Sequence, residues 1–206
     1  MKSIILTLIL GFFAFNNFAQ NATWRDVPAS ELNGVASQDL DERMRASMNY
    51  AVKYGFGAGF PTFYQAEKNG EIVYGTVLLP KSMVEFKDIP VTELGNVSLD
   101  NFQERVRQAM TWASNHGYAA GIPTFNHADY GRGIVCGVML IKLDKVVFKD
   151  VRRMSLKKFN NDDTAEWARV ANDYASKNNY LAGFPTFHIA NKGFSNEVFG
   201  VILFNK

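Results

Sequence analysis

The hexapeptide AGFPTF at Ala58–Phe63 returns as AGIPTF at Ala120–Phe125 and as AGFPTF at Ala182–Phe187. Pro61, Pro123 and Pro185 stand 62 residues apart, and other positions keep the same step. Trp24, Phe86 and Phe148 do so, as do Asp26, Asp88 and Asp150. The helix-compatible stretches add Glu42, Glu104 and Glu166, then Arg45, Arg107 and Arg169. Gly75 and Gly137 are in step, while Gly200 comes one residue late, after a longer loop, NKGFSNE. A fixed period of this length is expected of one structural unit copied in tandem. The boundaries read as 20–82, 83–144 and 145–206.

Residues 1–19 are set apart from these units. Lys2 is followed by an apolar run over Ile4–Phe15 and a small residue at Ala19, the pattern of a secretory signal peptide. The product is expected to be secreted or periplasmic, with no transmembrane segment once that signal is cleaved. Twenty-two Lys and Arg face twenty Asp and Glu, a formal charge of +2, and no basic cluster stands out. Nucleic-acid binding is therefore not expected. Cys136 is the single cysteine and lies in the apolar run GIVCGVMLI, which reads as packing rather than nucleophilic chemistry.

Within each unit the hydrophobic period changes in one order. VEFKDIP alternates with the two-residue period of a half-exposed strand, putting Phe86 and Asp88 on one face. By this reading Asp26, Asp88 and Asp150 point inward or sit at a rim, held by turn amides or by Arg43 or Arg105. DNFQERVRQAMTWASNHG then repeats apolar residues at helical spacing, with Asp100 or Asn101 as N-cap, Glu104 in the first turn and Gly117 at the end. Glu42 and Arg45 read as a surface pair. Two apolar segments joined by a Gly- and Asn-containing turn close the unit. The second is apolar on both alternating faces, as a central strand would be. The expected class is α/β (α+β): three strand–helix–strand–strand repeats forming one pseudo-threefold domain with the helices outside. An open nine-stranded sheet is the alternative.

The hexapeptide itself reads as scaffold. Gly59, Gly121 and Gly183 suit a bend with positive φ, and Pro61, Pro123 and Pro185 suit a strand start. Phe63, Phe125 and Phe187 read as core anchors. The residues just beyond it vary, and they are the candidate ligand-binding set. They are Tyr64, Gln65 and Glu67 in the first unit, Asn126, His127, Asp129 and Tyr130 in the second, and His188 and Asn191 in the third. Aromatic faces beside amide and carboxylate groups at strand ends suit sugars or other polar ligands.

No phosphate-cradling glycine loop, HExxH or GxSxG occurs. The three histidines share neither a repeat position nor a metal-ligand spacing, so neither a metal nor a cofactor is expected. The expected function is a secreted, non-enzymatic, lectin-like binding module with up to three related sites at hairpin ends, taking a glycan or other polar extracellular ligand. A hydrolase-type enzyme with one degenerate site around His127 and Asp129 is the alternative. A secreted inhibitor or toxin-associated protein is a third.

Overall fold

The computed structural model describes residues 21–34, 40–129, 131, 133–142, 144–160, 162–191 and 197–206. The segment expected to be a signal peptide lies outside them, as does Tyr130; for Phe125, Asn126 and Asn191 only the backbone is described. The chain is a mixed α+β fold of three helices and three antiparallel sheets. Its first third runs β1 (Thr23–Pro28), α1 (Leu40–Lys53), β2 (Ala58–Lys68) and β3 (Glu71–Leu79). The middle runs β4 (Val84–Pro90), α2 (Phe102–Asn115), β5 (Tyr118–Asp129) and β6 (Ile134–Lys142). The last runs β7 (Val146–Arg152), α3 (Thr164–Lys177), β8 (Ala182–Asn191) and β9 (Glu197–Phe204). The sheets are ordered β1-β3-β2, β4-β6-β5 and β7-β9-β8, so the doubly apolar strand is central in each. They remain three sheets rather than one of nine strands.

Local chemistry sets the helix ends. The Asn101 side chain accepts from the Glu104 amide at 3.0 Å, and Asp163 accepts from that of Glu166 at 2.9 Å. Each satisfies one of the amides a helix start leaves without a partner. Gly55, Gly117 and Asn179 follow the helices with φ of 82°, 80° and 66°, the left-handed exit that glycine and asparagine tolerate.

Both faces of the central strands are buried. Val77, Met139 and Ile202 join one shared core with Phe60, Ile122 and Phe184. Phe60 is T-shaped against Phe184 at 5.6 Å and tilted against Phe204 at 4.9 Å, so rings from different sheets meet there. The opposite faces, carrying Leu78, Leu140 and Leu203, form three separate clusters, which include Ala51, Ala113 and Ala175 of the helices. Burying each such side chain stabilises by roughly 1.5–3 kcal/mol before the entropy of ordering is counted.

Each helix covers the sheet face that turns away from the shared core, and it also reaches a neighbouring sheet. Besides the strand that follows it, α1 packs on β5, α2 on β8 and α3 on β2. Phe102, Val106, Trp167 and Val170 therefore reach the shared core. The first strand of each sheet departs from the expectation. Its most deeply buried side chain is Val27, Ile89 or Val151, on the face opposite to the aromatic and aspartate, while Val84 at the start of β4 is buried on the Phe86 face. Phe86 and Phe148 are 49% and 53% exposed, and Asp88 and Asp150 are exposed too. These are edge strands, and the alternation alone does not tell which face an edge strand turns to the core. Asp26 is held by Lys68 and by Trp24 Nε1 at 3.1 Å, rather than by turn amides or Arg43.

Candidate functional site

The repeated hexapeptide makes a bulge in mid-strand. Pro61 pairs with Thr76 and Gln65 with Tyr74, so Thr62, Phe63 and Tyr64 stand opposite the single residue Gly75. The same shift occurs at Pro123/His127 and at Pro185/Ile189. Phe63 and Phe187 have φ of 59° and 56°, left-handed conformations that cost about 1–3 kcal/mol in a bulky residue. Burial of both rings, at 6% and 1% exposure, offsets the strain. The threonine closes the bulge: Thr62 Oγ1 donates to the Gly75 carbonyl at 3.0 Å, and Thr124 Oγ1 to that of Gly137 at 3.1 Å.

Gly59, Gly121 and Gly183 serve another purpose than a bend. None has positive φ. A Cβ on them would overlap the carbonyl oxygens of Ser47, Ala109 and Ala171, so each lets a helix backbone lie directly on its strand. Aromatics of the edge strands use the glycine opposite the bulge in a similar way. The Trp24 ring occupies the space a Cβ on Gly75 would need, and the tip of Phe148 lies over Gly200.

Because the bulge breaks the pleat, the residue after the phenylalanine turns outward. Tyr64 is 43% exposed and His188 is exposed. Both look into clefts that open where a helix meets the neighbouring sheet. Of three such clefts among the described residues the largest, about 790 Å³, lies between α2 and the β7/β8 side of the last sheet, with Arg107, Met110, Phe148, Asp150 and His188 in its walls. A second, about 360 Å³, lies between α3 and the β2 bulge and includes Arg43, Arg169, Asn172, Tyr64 and Gln65. The third, about 190 Å³, lies between α1 and the middle sheet and is more apolar, with Met44, Met48, Phe86 and Met139 beside Arg45.

The clefts differ in electrostatics. In the α2 cleft Glu104 pairs with Arg107 at 2.6 Å. Hydrogen bonds from Gln108 and Arg107 hold the Glu104 carboxyl below the usual carboxylate range. Arg107 Nη1 also donates to the Phe187 carbonyl at 3.3 Å, so it faces the bulge as well as solvent. In the α3 cleft Glu166 instead accepts from the Asn160 amide at 2.7 Å, and Lys157 pairs with Asp173. Arg43 is 1% exposed, with its guanidinium 3.9 Å from the Tyr74 ring centre. Burial pulls its pKa down to about 10.

Of the residues singled out in the sequence, Tyr64, Gln65 and His188 lie in these clefts. The Tyr64 ring meets Trp24 edge to face at 5.8 Å. Glu67 sits further along the hairpin opposite Ile72, away from the cleft walls. His127 is exposed and paired across the sheet with Cys136. Asp129 accepts from the Gly131 amide at 2.8 Å, and among the described residues no hydrogen bond joins it to His127. Asn126 lies within the middle bulge, between the pairs Pro123–Val138 and His127–Cys136, and Asn191 ends β8 opposite Glu197. The sequence reading passed over Arg107, Phe148 and Asp150 on one side and Arg169 and Asn172 on the other. The arginine and aspartate positions were visible as periodic, but periodicity does not show that a helix abuts the next sheet. Among the described residues no His, Cys, Asp and Glu group could hold a metal ion, and no helix is long and apolar enough to cross a membrane.

Set beside protein-family models, curated proteins and solved structures, the chain finds no match.

Proposed function

We propose that the chain is a secreted, non-enzymatic binding protein of three tandem 62-residue units about a pseudo-threefold axis, taking glycan-like polar ligands in the clefts between units. The cyclic packing of α1 on β5, α2 on β8 and α3 on β2 supports the symmetry, because each helix then bridges to the next unit in turn. Secretion rests on the apolar N-terminal segment.

One observation carries the binding reading. The α2 cleft sets the exposed ring of Phe148 beside Arg107, Asp150 and His188 in about 790 Å³ of space. That volume suits a small ligand, and an apolar face edged by donors and acceptors matches a pyranose, which has CH-rich faces and a hydroxyl rim. On this proposal the binding sites lie at the bulges rather than at the hairpin tips. The hydrolase alternative is less favoured, since the Asp129 carboxylate is engaged by its own turn.

A neutral glycan panel titrated against the purified protein tests this. Binding should weaken roughly tenfold or more in Phe148→Ala, as for loss of an aromatic contact surface, and stay unchanged in His127→Ala. Turnover abolished by His127→Ala would establish the enzyme instead.

A further inference from the structure

The α1 cleft differs in chemistry from the α2 cleft. Corresponding places on the two helices carry Arg45 and Arg107, Met48 and Met110, and Val52 and Ser114, each pair 62 residues apart. On α2 the arginine is held by Glu104 and by the Phe187 carbonyl. Arg45 is exposed, and among the described residues its guanidinium makes no hydrogen bond or ion pair. It is also the one charged side chain among the described residues in the walls of its cleft. Most of the remaining wall is apolar and open to solvent. Val52 on α1 is 65% exposed, Phe86 on the edge strand β4 is 49% exposed, and half-buried Met48 lines the same space. Thr124 is present too, but its hydroxyl is already donated to the Gly137 carbonyl. The exposed Asn49 amide is the other polar side chain.

We infer that the α1 cleft binds a small aryl carboxylic acid, a benzene ring joined to a carboxylate by a short chain. The ring lies against Phe86, Val52 and Met48, and Arg45 takes the carboxylate. Arg45, Met48, Asn49 and Val52 follow one another at helical spacing, so one face of α1 carries the cation at one end and apolar contact at the other. A ligand anionic at one end and apolar at the other matches that order. It covers hydrocarbon now in water and pairs a charge that has no partner. A guanidinium also meets a planar carboxylate in a two-point geometry. The thioether favours an aromatic ring over an alkyl chain, because sulfur is attracted to a ring edge. The cleft holds about 190 Å³, and a cavity of roughly 150 Å³ is enough for benzene. A sugar fits poorly, since its hydroxyl rim would meet Val52 and Phe86. This inference goes beyond the glycan reading of the α2 cleft and does not rest on it.

Methionine-methyl NMR of the full chain, titrated with phenylacetate, phenylacetamide, hexanoate and acetate, tests it. Phenylacetate should shift the Met48 methyl and leave Met110 of the α2 cleft and the 82% exposed Met154 unmoved. It should bind at least roughly tenfold tighter than phenylacetamide, and Arg45→Gln should remove that preference, as loss of a charge-assisted contact does. Val52→Ser should weaken phenylacetate binding about threefold through lost apolar contact. Both substituted side chains are exposed, so the fold should tolerate either change, and the unliganded methyl spectrum checks that it does. Phe148→Ala should leave phenylacetate binding intact. Hexanoate or acetate binding as tight as phenylacetate overturns the aryl assignment. Phenylacetamide binding as tight as the acid, indifference to Arg45→Gln, a shift confined to Met110, or no shift at all overturns the inference. Loss of neutral-glycan binding in Phe148→Ala is read separately, so either reading can fail while the other stands.

Discussion

Arg107 on α2 donates from its guanidinium to the backbone carbonyl of Phe187 at 3.3 Å, across 80 residues of chain. Phe187 is the left-handed residue of the β8 bulge, so one side chain ties a helix to the strained turn of the neighbouring sheet. Its guanidinium is also partly exposed and shared with Glu104. Arg107→Gln should therefore cost only about 1 kcal/mol in urea unfolding, because solvent screens part of the interaction. The same variant should reshape the α2 cleft and shift the Phe187 and His188 amide resonances.

Thr62 and Thr124 close their bulges with buried hydroxyls. Thr62→Val keeps the shape but leaves the Gly75 carbonyl without that donor. The expected loss is about 1–3 kcal/mol by chemical denaturation, the usual penalty for a stranded buried acceptor. Thr111→Val on exposed helix surface should change stability by less than about 0.5 kcal/mol.

The helix contact at Gly121 leaves no room for a methyl group, since the opposing atom is backbone oxygen and cannot rotate away. Gly121→Ala should destabilise by about 1–3 kcal/mol through overpacking, although alanine normally favours regular structure over glycine. Gly59→Ala and Gly183→Ala should behave alike, and a stabilising outcome for any of them would refute the close approach.

Acid should selectively weaken the contact at Asp26. Burial acts to raise its carboxyl, but hydrogen bonds from Lys68 and Trp24 outweigh it and hold the group below its ordinary value. A depressed carboxyl stabilises the fold above its unfolded pKa of about 3.9 and loses that contribution as pH falls through the lower folded value. The stability gap between the native protein and Asp26→Asn should thus be constant near neutrality and shrink below about pH 4. A gap that grows on acidification would reverse the assignment.

Cys136 is 2% exposed, and burial pushes its thiol up, with Arg105 partly opposing. Alkylation by iodoacetamide at pH 8 should be slow in the native protein and fast in urea, as measured by mass spectrometry. Rapid native labelling would place the thiol at the surface.

The mixed α+β class and the strand–helix–strand–strand order were legible in the chain because each depends on neighbours a few residues apart. Alternation marked the strands, Asn101 and Gly117 marked the limits of α2, and the doubly apolar run around Val138 marked a central strand. The edge strands were harder: a two-residue period shows that Phe86 and Ile89 face opposite ways but not which of them meets the core. The hexapeptide was visible as a recurrent phrase, yet its left-handed phenylalanine was not, since isolated aromatics favour extended backbone.

The amino-acid order by itself thus determined the elements and their succession, through local spacing, caps and turns. Tertiary structure alone decided that glycine makes way for a helix carbonyl, that Arg107 meets Phe187, and that Asn172 lies beside Arg43 and Arg169. Those relationships join segments far apart in the chain, and they follow from how helices settle against neighbouring sheets when a shared core is buried.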